Sequence, residues 1–433
     1  KIKIMLIINN KTFLIYGFGL SGKSSFDFLI KNNKIKIFDD SKKNISKKFK
    51  KYSISKSILN NIIFDYIIIS PGIDINNCSI KNFLNQNKNK IITELDIFYV
   101  AYANNKKIAV TGTNGKSTTC KLIYEILKKS KKDVRLVGNI GFPALSEKKI
   151  SNKTIFVIEI SSYQIEYSNY FKADISILLN LSPDHLERHR NFKSYTSVKL
   201  KLFQNQTSKG ISIIKKNDNY IGTKLKKLKV NSKILKLSKN EIKYLIGKIN
   251  NKTFKDEDNL DNLLFAHRVV KIFKVKTKTI VDVINYFKPL PYRRQIILNN
   301  EKLTIINDSK STSFSSTINL LKTYKNIYWI MGGLKKKGDI FNLHKKYYKN
   351  INVYIYGSDR KIFYNLLRNK IKTKTSVTLE QSLKNVQLDL KKNNQKKANI
   401  IFSPAAASFD QFKNFQNRGE KFNFLINKIN FDL

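Results

Sequence analysis

The stretch Ile108-Ala-Val-Thr-Gly-Thr-Asn-Gly-Lys-Ser-Thr-Thr119 gathers glycines, hydroxyls and a lysine at a spacing suited to phosphate. Ile108 to Val110 read as a buried strand, the chain breaks at Gly112 and Gly115, and Ser117 onward (Thr118, Leu122, Ile123, Ile126, Leu127) has helical spacing. A strand, a glycine loop and a helix N-terminus make an anion cradle, because backbone N–H groups converge there and the helix dipole favours negative charge. Lys116, expected to be exposed, adds a point charge for terminal phosphates, and Ser117 adds a hydroxyl for Mg²⁺. The strict spacing of a phosphate loop asks for glycine where Val110 stands, so only the second half of that pattern is matched. The competing reading is a plain strand-to-helix turn.

Further along, Glu159 sits in the apolar run Ile155-Phe-Val-Ile-Glu-Ile160, where an unpaired carboxylate is costly. A metal ion or a lysine is expected to compensate it; Mg²⁺ in a nucleotide site answers this, and a structural ion pair is the alternative. Asp184 and His185 follow the strand Ile175 to Leu179, on the phosphate-loop side of a parallel sheet. Lys199 falls on a helix in Val198-Lys-Leu-Lys-Leu-Phe203, and its spacing alone gives only a solvated lysine. Asp258-Asn-Leu-Asp-Asn262 opens another helix with two amides, able to read an adenine edge or simply to cap.

The first strand, Phe13 to Tyr16, runs into Gly17-Phe-Gly-Leu-Ser-Gly22, then a helix over Lys23 to Lys31 and a strand Ile35 to Phe38 ending at Asp39-Asp40. This is the βαβ pattern that holds a nucleotide diphosphate: glycines for close approach, then a carboxylate for ribose or base. Tyr66 to Ser70 ends in Pro71-Gly72, again at a strand's carboxyl end. Gly138-Asn-Ile-Gly141 follows the strand Val134 to Val137. Near the C-terminus, strands Leu303 to Ile306, Ile327 to Ile330 and Ile400 to Phe402 end in Asn307-Asp-Ser-Lys-Ser-Thr312, in Gly332-Gly333 with Lys335 to Asp339, and in Ser403-Pro-Ala-Ala-Ala-Ser-Phe409. Small, hydroxyl and lysine residues at three strand ends suit a small anionic substrate.

The elements that must position these residues alternate strand and helix throughout, which implies mostly parallel sheets. The expected fold is α/β in three domains: residues 1–95, Rossmann-like with the nucleotide-diphosphate pattern; 96–289, a central domain of P-loop ATPase type; and 290–433, Rossmann-like with the small-anion strand ends. Gln204 to Asp256 carry Lys, Ile and short strands without evident chemistry. At 433 residues and 41% hydrophobic content there is ample core. The formal net charge of +51 invites a nucleic-acid partner, yet the lysines are dispersed through the putative core as well, and no aromatic–basic interleaving marks one face. Two cysteines, Cys78 and Cys120, exclude a disulfide framework. The basic-then-apolar start, Lys1 to Tyr16, hints at a signal peptide but is broken by Asn9, Asn10 and Lys11. A reduced, cytoplasmic protein without membrane insertion is expected.

Gly112-Thr-Asn-Gly-Lys-Ser117, Asn307-Asp-Ser-Lys310 and Ser403-Pro-Ala-Ala-Ala-Ser-Phe-Asp-Gln-Phe-Lys-Asn-Phe-Gln-Asn-Arg-Gly419 together resemble the Mur ligases of bacterial cell-wall synthesis, over nearly the whole chain. The first segment is shared with folylpolyglutamate synthases, which lack a domain for UDP; the other two look like the D-glutamate-adding branch. The resemblance implies ATP-dependent addition of D-glutamate to UDP-N-acetylmuramoyl-L-alanine through an acyl phosphate, by a monomer that uses two Mg²⁺ ions. It makes the first domain UDP-binding and the third amino-acid-binding. It implies UDP-substrate contacts at Leu20, Ser21, Asp39, Asp40, Ser70, Asn139, Ser161 and Gln164. ATP would meet Gly112, Thr113, Asn114, Gly115, Lys116, Ser117, Thr118, Asn259, Asn262, Arg293 and Asp308. Metal would meet Ser117, Glu159, His185 and Lys199, the last as a CO₂-derived carbamate. D-Glutamate would meet Thr312, Lys336, Ser408, Phe409 and Phe415, and catalytic roles would fall to Lys116, His185, Lys199 and Lys310. The chain departs from the family at Tyr292, where a histidine is usual, at Ser313 for asparagine, at Ala406 for cysteine, and at Asp40-Ser41.

Overall fold

The computed structural model describes residues 8–392 and 397–429; the start of the Lys1 to Tyr16 stretch lies outside the described residues. The continuous apolar runs form strands buried on both faces, as parallel sheets covered by helices require. In the first sheet β1 (Thr12–Tyr16), β2 (Lys34–Phe38), β3 (Tyr66–Ile69) and β4 (Ile91–Ile92) lie in the order β2-β1-β3-β4, all parallel. The order reverses between β1 and β3, and the glycine loop leaves β1 at that crevice, where open α/β sheets take ligands.

The helix after this loop covers Leu20–Leu29, three residues earlier than Lys23. Gly22 therefore lies inside it. A Cβ there would come 2.1 Å from the Gly17 carbonyl oxygen, so the glycine buys close helix–strand approach rather than ending the helix.

The second sheet has six parallel strands, β5 (Lys106–Thr111), β6 (Val134–Gly138), β7 (Ile155–Glu159), β8 (Ile175–Leu178), β9 (Ile211–Lys215) and β10 (Lys233–Leu237), ordered β10-β9-β8-β5-β7-β6. β5, which feeds the phosphate loop, is central, and the helix Lys116–Lys129 follows. The helix Glu94–Ala101 joins the two sheets: Phe98 packs edge-on to Phe156 of β7 at 4.8 Å, and buried Asp96 accepts N–H groups of Asn169, Tyr170 and Phe171.

The third sheet contains β11 (Gln295–Asn299), β12 (Leu303–Asn307), β13 (Ile327–Gly332), β14 (Ile351–Tyr356), β15 (Lys372–Thr375) and β16 (Ala398–Phe402), in the order β11-β12-β16-β13-β14-β15. Among the described residues of this sheet, β11 alone is antiparallel to its neighbour.

Two compact units result. One holds the described residues up to Leu181 with Lys193–Ile249 and Asp261–Asn285, and so both of the first two sheets; the other holds Ser182–Phe192, Asn250–Leu260 and the described residues from Tyr286 onward, with the third.

Candidate functional site

In the first unit the phosphate loop leaves β5 and turns at Gly112 (φ +152°) and Gly115 (φ +83°). A Cβ on Gly115 would lie 2.2 Å from Asn262 Oδ1, so a side chain is excluded by both conformation and space. Asn180 braces the loop: its Oδ1 accepts the Asn114 N–H at 2.9 Å, its Nδ2 donates to the Asn114 carbonyl, and its own carbonyl accepts from Thr113 N–H. Thr113 also meets the hydroxyl of buried Tyr195. Spacing does not single out Asn180 or Tyr195, because both lie far from the loop in sequence.

Lys116 is half-buried rather than exposed, folded back onto the carbonyls of Gly112 (2.9 Å) and Thr113 (2.7 Å). Thr118, two residues on in the same turn, is half-buried. Glu159, 2% exposed at the end of β7, accepts the Ser117 hydroxyl and the Asn139 amide, the latter at 2.8 Å. The cost of burying this carboxylate is thus met in part by neutral donors. Lys199 overturns the solvated reading most clearly. It is 2% exposed, donates to Gly112 O at 2.9 Å and Thr111 Oγ1 at 3.2 Å, and lies 4.9 Å above the Tyr195 ring. Seven positions after Phe192 on its helix, it points inward to the loop because the neighbouring Tyr195, Thr196, Leu200 and Phe203 are buried too. Asn262 accepts from Thr119 Oγ1. Ser161 and Gln164 form a reciprocal helix cap.

At the first sheet, Ser70 Oγ donates to the Gly17 carbonyl at 2.6 Å across the β1–β3 crevice. Asp39 accepts the N–H groups of Phe18 and Ser41 and the Asn44 amide, so its carboxylate shapes the glycine loop. Asp40 accepts from the Tyr16 and Ser79 hydroxyls, and burial together with Asp40 holds the Tyr16 phenol well above its ordinary range. Leu20 is exposed and Ser21 half-buried at the start of the helix.

The second unit assembles a different kind of site. Arg294 is held by charge, pairing with Asp256 at 2.6 Å and with Asp258, while the half-buried Arg293 lies within electrostatic reach of Asp308. The Arg294 N–H donates to Asp308, whose carboxyl burial pushes up to about 6 despite Arg294 and the Ser403 hydroxyl. Asn259 donates to Thr253 O and to Asp256.

Lys310 Nζ lies 4.1 Å above the Phe415 ring. Lys336 pairs with Asp184 at 2.6 Å, both largely buried. Nearby Asp339 accepts the Phe314 N–H, and burial raises its carboxyl to about 6. His185, at φ +54°, stands between Asp184 (3.4 Å) and Glu187 (3.3 Å). Thr312 is half-buried, Ser408 buried and Phe409 exposed. The fully buried Arg418 ties the two motif loops together, donating to Ser309 Oγ, Ser309 O and Ala406 O. Tyr292 packs its ring against Gly419, where a Cβ would come 2.4 Å from Cδ1.

Magnesium takes oxygen ligands and keeps waters and substrate phosphates. Ser117 Oγ and the Glu159 carboxylate, side by side under the phosphate loop, fit such an ion. Among the described residues no group of three or more His, Cys, Asp or Glu side chains could hold a metal, and no helix is long and apolar enough to cross a membrane.

Residues 110–285 match the family model of the Mur ligase middle domain. The chain is 32% identical to the UDP-N-acetylmuramoylalanine--D-glutamate ligase of Rickettsia bellii, covering 98% of this chain and 99% of that one. It is 33% identical to the ligase of the same name from Francisella tularensis, covering 96% of each. Among solved structures it matches UDP-N-acetylmuramate-alanine ligase of Thermotoga maritima (TM-score 0.54, 16% identity, 97% of this chain and 100% of that chain). It also matches the MurF ligase of Thermotoga maritima in complex with ADP (TM-score 0.57, 13% identity, 97% and 99%). At those identities the likeness to solved structures is one of fold. The chain therefore belongs to the Mur ligases, ATP-dependent enzymes that form amide bonds, among relatives named UDP-N-acetylmuramoylalanine--D-glutamate ligase.

Proposed function

We propose that this enzyme joins D-glutamate to UDP-N-acetylmuramoyl-L-alanine, with ATP as the phosphoryl donor. One observation carries the reading: likeness to ligases of that name runs the length of the chain. In this reading the first and third sheets are Rossmann-like domains and the second the ATPase domain, with limits at 1–95, 96–289 and 290–433.

A carboxylate resists nucleophiles because its charge repels them and oxide is a hopeless leaving group. Transfer of the γ-phosphoryl group to the L-alanyl carboxylate gives an acyl phosphate and ADP. The D-glutamate amine then attacks, passes through a tetrahedral adduct, and expels phosphate with loss of a proton. Negative charge gathers on oxygen in both steps, so positioned cations are the main requirement.

Lys116 supplies one, released from the Gly112 and Thr113 carbonyls to reach the terminal phosphates. Lys310, steadied over Phe415, supplies another. Ser117 and Glu159 would hold Mg²⁺, which when bound supplies Lewis-acid stabilisation of phosphate charge. A carbamate on Lys199 would add an anionic metal ligand; its nitrogen would keep one N–H, which the Gly112 carbonyl already accepts. His185 is the candidate for the second ion. Asp39, Asp40, Ser70, Leu20 and Ser21 frame the UDP crevice, and Asn139, Ser161 and Gln164 the muramoyl arm. Asn259, Asn262, Arg293 and Asp308 are assigned to the nucleotide, and Lys336, Thr312, Ser408, Phe409 and Phe415 to the amino acid.

The test is phosphate release from ATP with UDP-N-acetylmuramoyl-L-alanine across a panel of amino acids. D-Glutamate alone should support turnover, and DNA or RNA should change nothing. Turnover with another amino acid in its place would refute the assignment.

A further inference from the structure

Glu94 opens the helix between the first two sheets, and although only 7% exposed it belongs to none of the groups assigned above. Its carboxylate is met by donors from two separate segments. Ser24 Oγ (3.5 Å) and the Ser21 hydroxyl come from the helix that follows the glycine loop. The Leu145 N–H (3.3 Å) and the Ala144 N–H come from the turn after β6. Ser146 closes the ring by donating to Ser24 Oγ at 3.0 Å. Burial raises the Glu94 carboxyl above its ordinary value, and these donors oppose the shift.

The segment from Gly138 to Ser146 is fastened at its other end as well. The Asn139 N–H donates to the Glu159 carbonyl at 2.9 Å, and its side-chain amide to the Glu159 carboxylate at 2.8 Å. One short strap thus runs from the phosphate-loop carboxylate to the start of the glycine-loop helix, and Glu94 is the clasp. Every partner is a donor, and Ser24 and Leu145 both bond to Oε1, so a neutral amide oxygen holds them more weakly than the carboxylate does, and an NH₂ group accepts from none of them.

We propose that Glu94 is a positioning residue for the nucleotide substrate: by clasping the strap to the glycine-loop helix, it sets the spacing between Ser21 and Asn139. This rests on the reading that Ser21 and Asn139 contact UDP-N-acetylmuramoyl-L-alanine. A wrong spacing costs ground-state binding of that substrate and leaves ATP binding alone.

The experiment is calorimetric titration of wild-type and Glu94→Gln enzyme with UDP-N-acetylmuramoyl-L-alanine, alongside steady-state kinetics for each substrate. Glu94→Gln should raise Kd and KM for this nucleotide about tenfold, leave KM for ATP unchanged and hold kcat within about twofold. A folded Glu94→Gln with wild-type Kd overturns the proposal and makes Glu94 a structural group. Should that variant fail to fold, Ser24→Ala, which keeps the carboxylate but removes one donor and the Ser146 acceptor, decides instead. A threefold rise in Kd supports the clasp, and no change overturns it. Wild-type enzyme that does not bind the nucleotide would remove the functional reading itself, a result distinct from either.

Discussion

The phosphate loop and the Asp308 region solve the same problem, holding charge in a buried place, by opposite means. Glu159 is met by a hydroxyl and an amide, and Lys116 rests on two carbonyls. Neutral partners of this kind are individually weak, so a phosphate or an ion can exchange with them at modest cost. Around Asp308 full charges face one another: Arg294, whose backbone N–H donates to Asp308, bridges Asp256 and Asp258. Removing one member there strands another in low dielectric. The first region is built to exchange partners and the second to keep them.

That contrast predicts a separation of rate from stability. Lys116→Ala should cut kcat about 10³-fold, roughly 4 kcal/mol of transition-state stabilisation, because phosphoryl charge loses its positioned cation. Its unfolding free energy should fall by only about 1 kcal/mol, the worth of the exchanged carbonyl contacts. Retention of more than about a tenth of wild-type kcat would remove the loop from the chemistry.

Arg294→Ala should do the reverse and destabilise by about 3 kcal/mol in urea, since Asp256 and Asp258 lose their countercharge. A variant as stable as wild type would erase the contrast.

Lys199→Ala tests whether the buried lysine belongs with the exchangeable set. Activity should fall about 10²-fold, near 2.7 kcal/mol, and a small carboxylic acid in solution should restore part of it. Lys201, half-buried and bonded to the Glu166 carbonyl, should show no such rescue when replaced by alanine. Inactivity at every acid concentration would dismiss the carbamate.

The smallest effect is in pH. Asp308 has its folded carboxyl raised to about 6, so the folded state binds the proton more tightly than the unfolded chain does. Its contribution is therefore favourable at low pH and is lost as pH rises from about 4 to 6. Asp308→Asn should be about 2 kcal/mol more stable relative to wild type at pH 7 than at pH 4. A difference that is flat with pH would mean the carboxyl does not titrate in that window.

Much of this was legible from residue order, because it depends on local geometry. Glycines at 112 and 115 follow an apolar run, and the loop turns there. The GxGxxG segment lies at a strand end beside a reversal of strand order. The helix starts three residues before the position that residue order suggests, since a glycine ordinarily breaks a helix and Gly22 instead lets one approach β1.

Chain order and composition by themselves determined the alternation of strand and helix, and hence parallel sheets with loops gathered at their carboxyl ends. They also determined the phosphate loop, whose parts are contiguous. Tertiary structure alone decided which polar residues are buried and with whom. Lys199 looks solvated until its helix packs against the phosphate loop. Arg294 looks like any other basic residue until Asp256, thirty-eight positions away, pairs with it. Glu94 is an ordinary helix start until Ser24 and Leu145 converge on it. Burial and pairing are sums over neighbours distant in sequence, and no local pattern contains them.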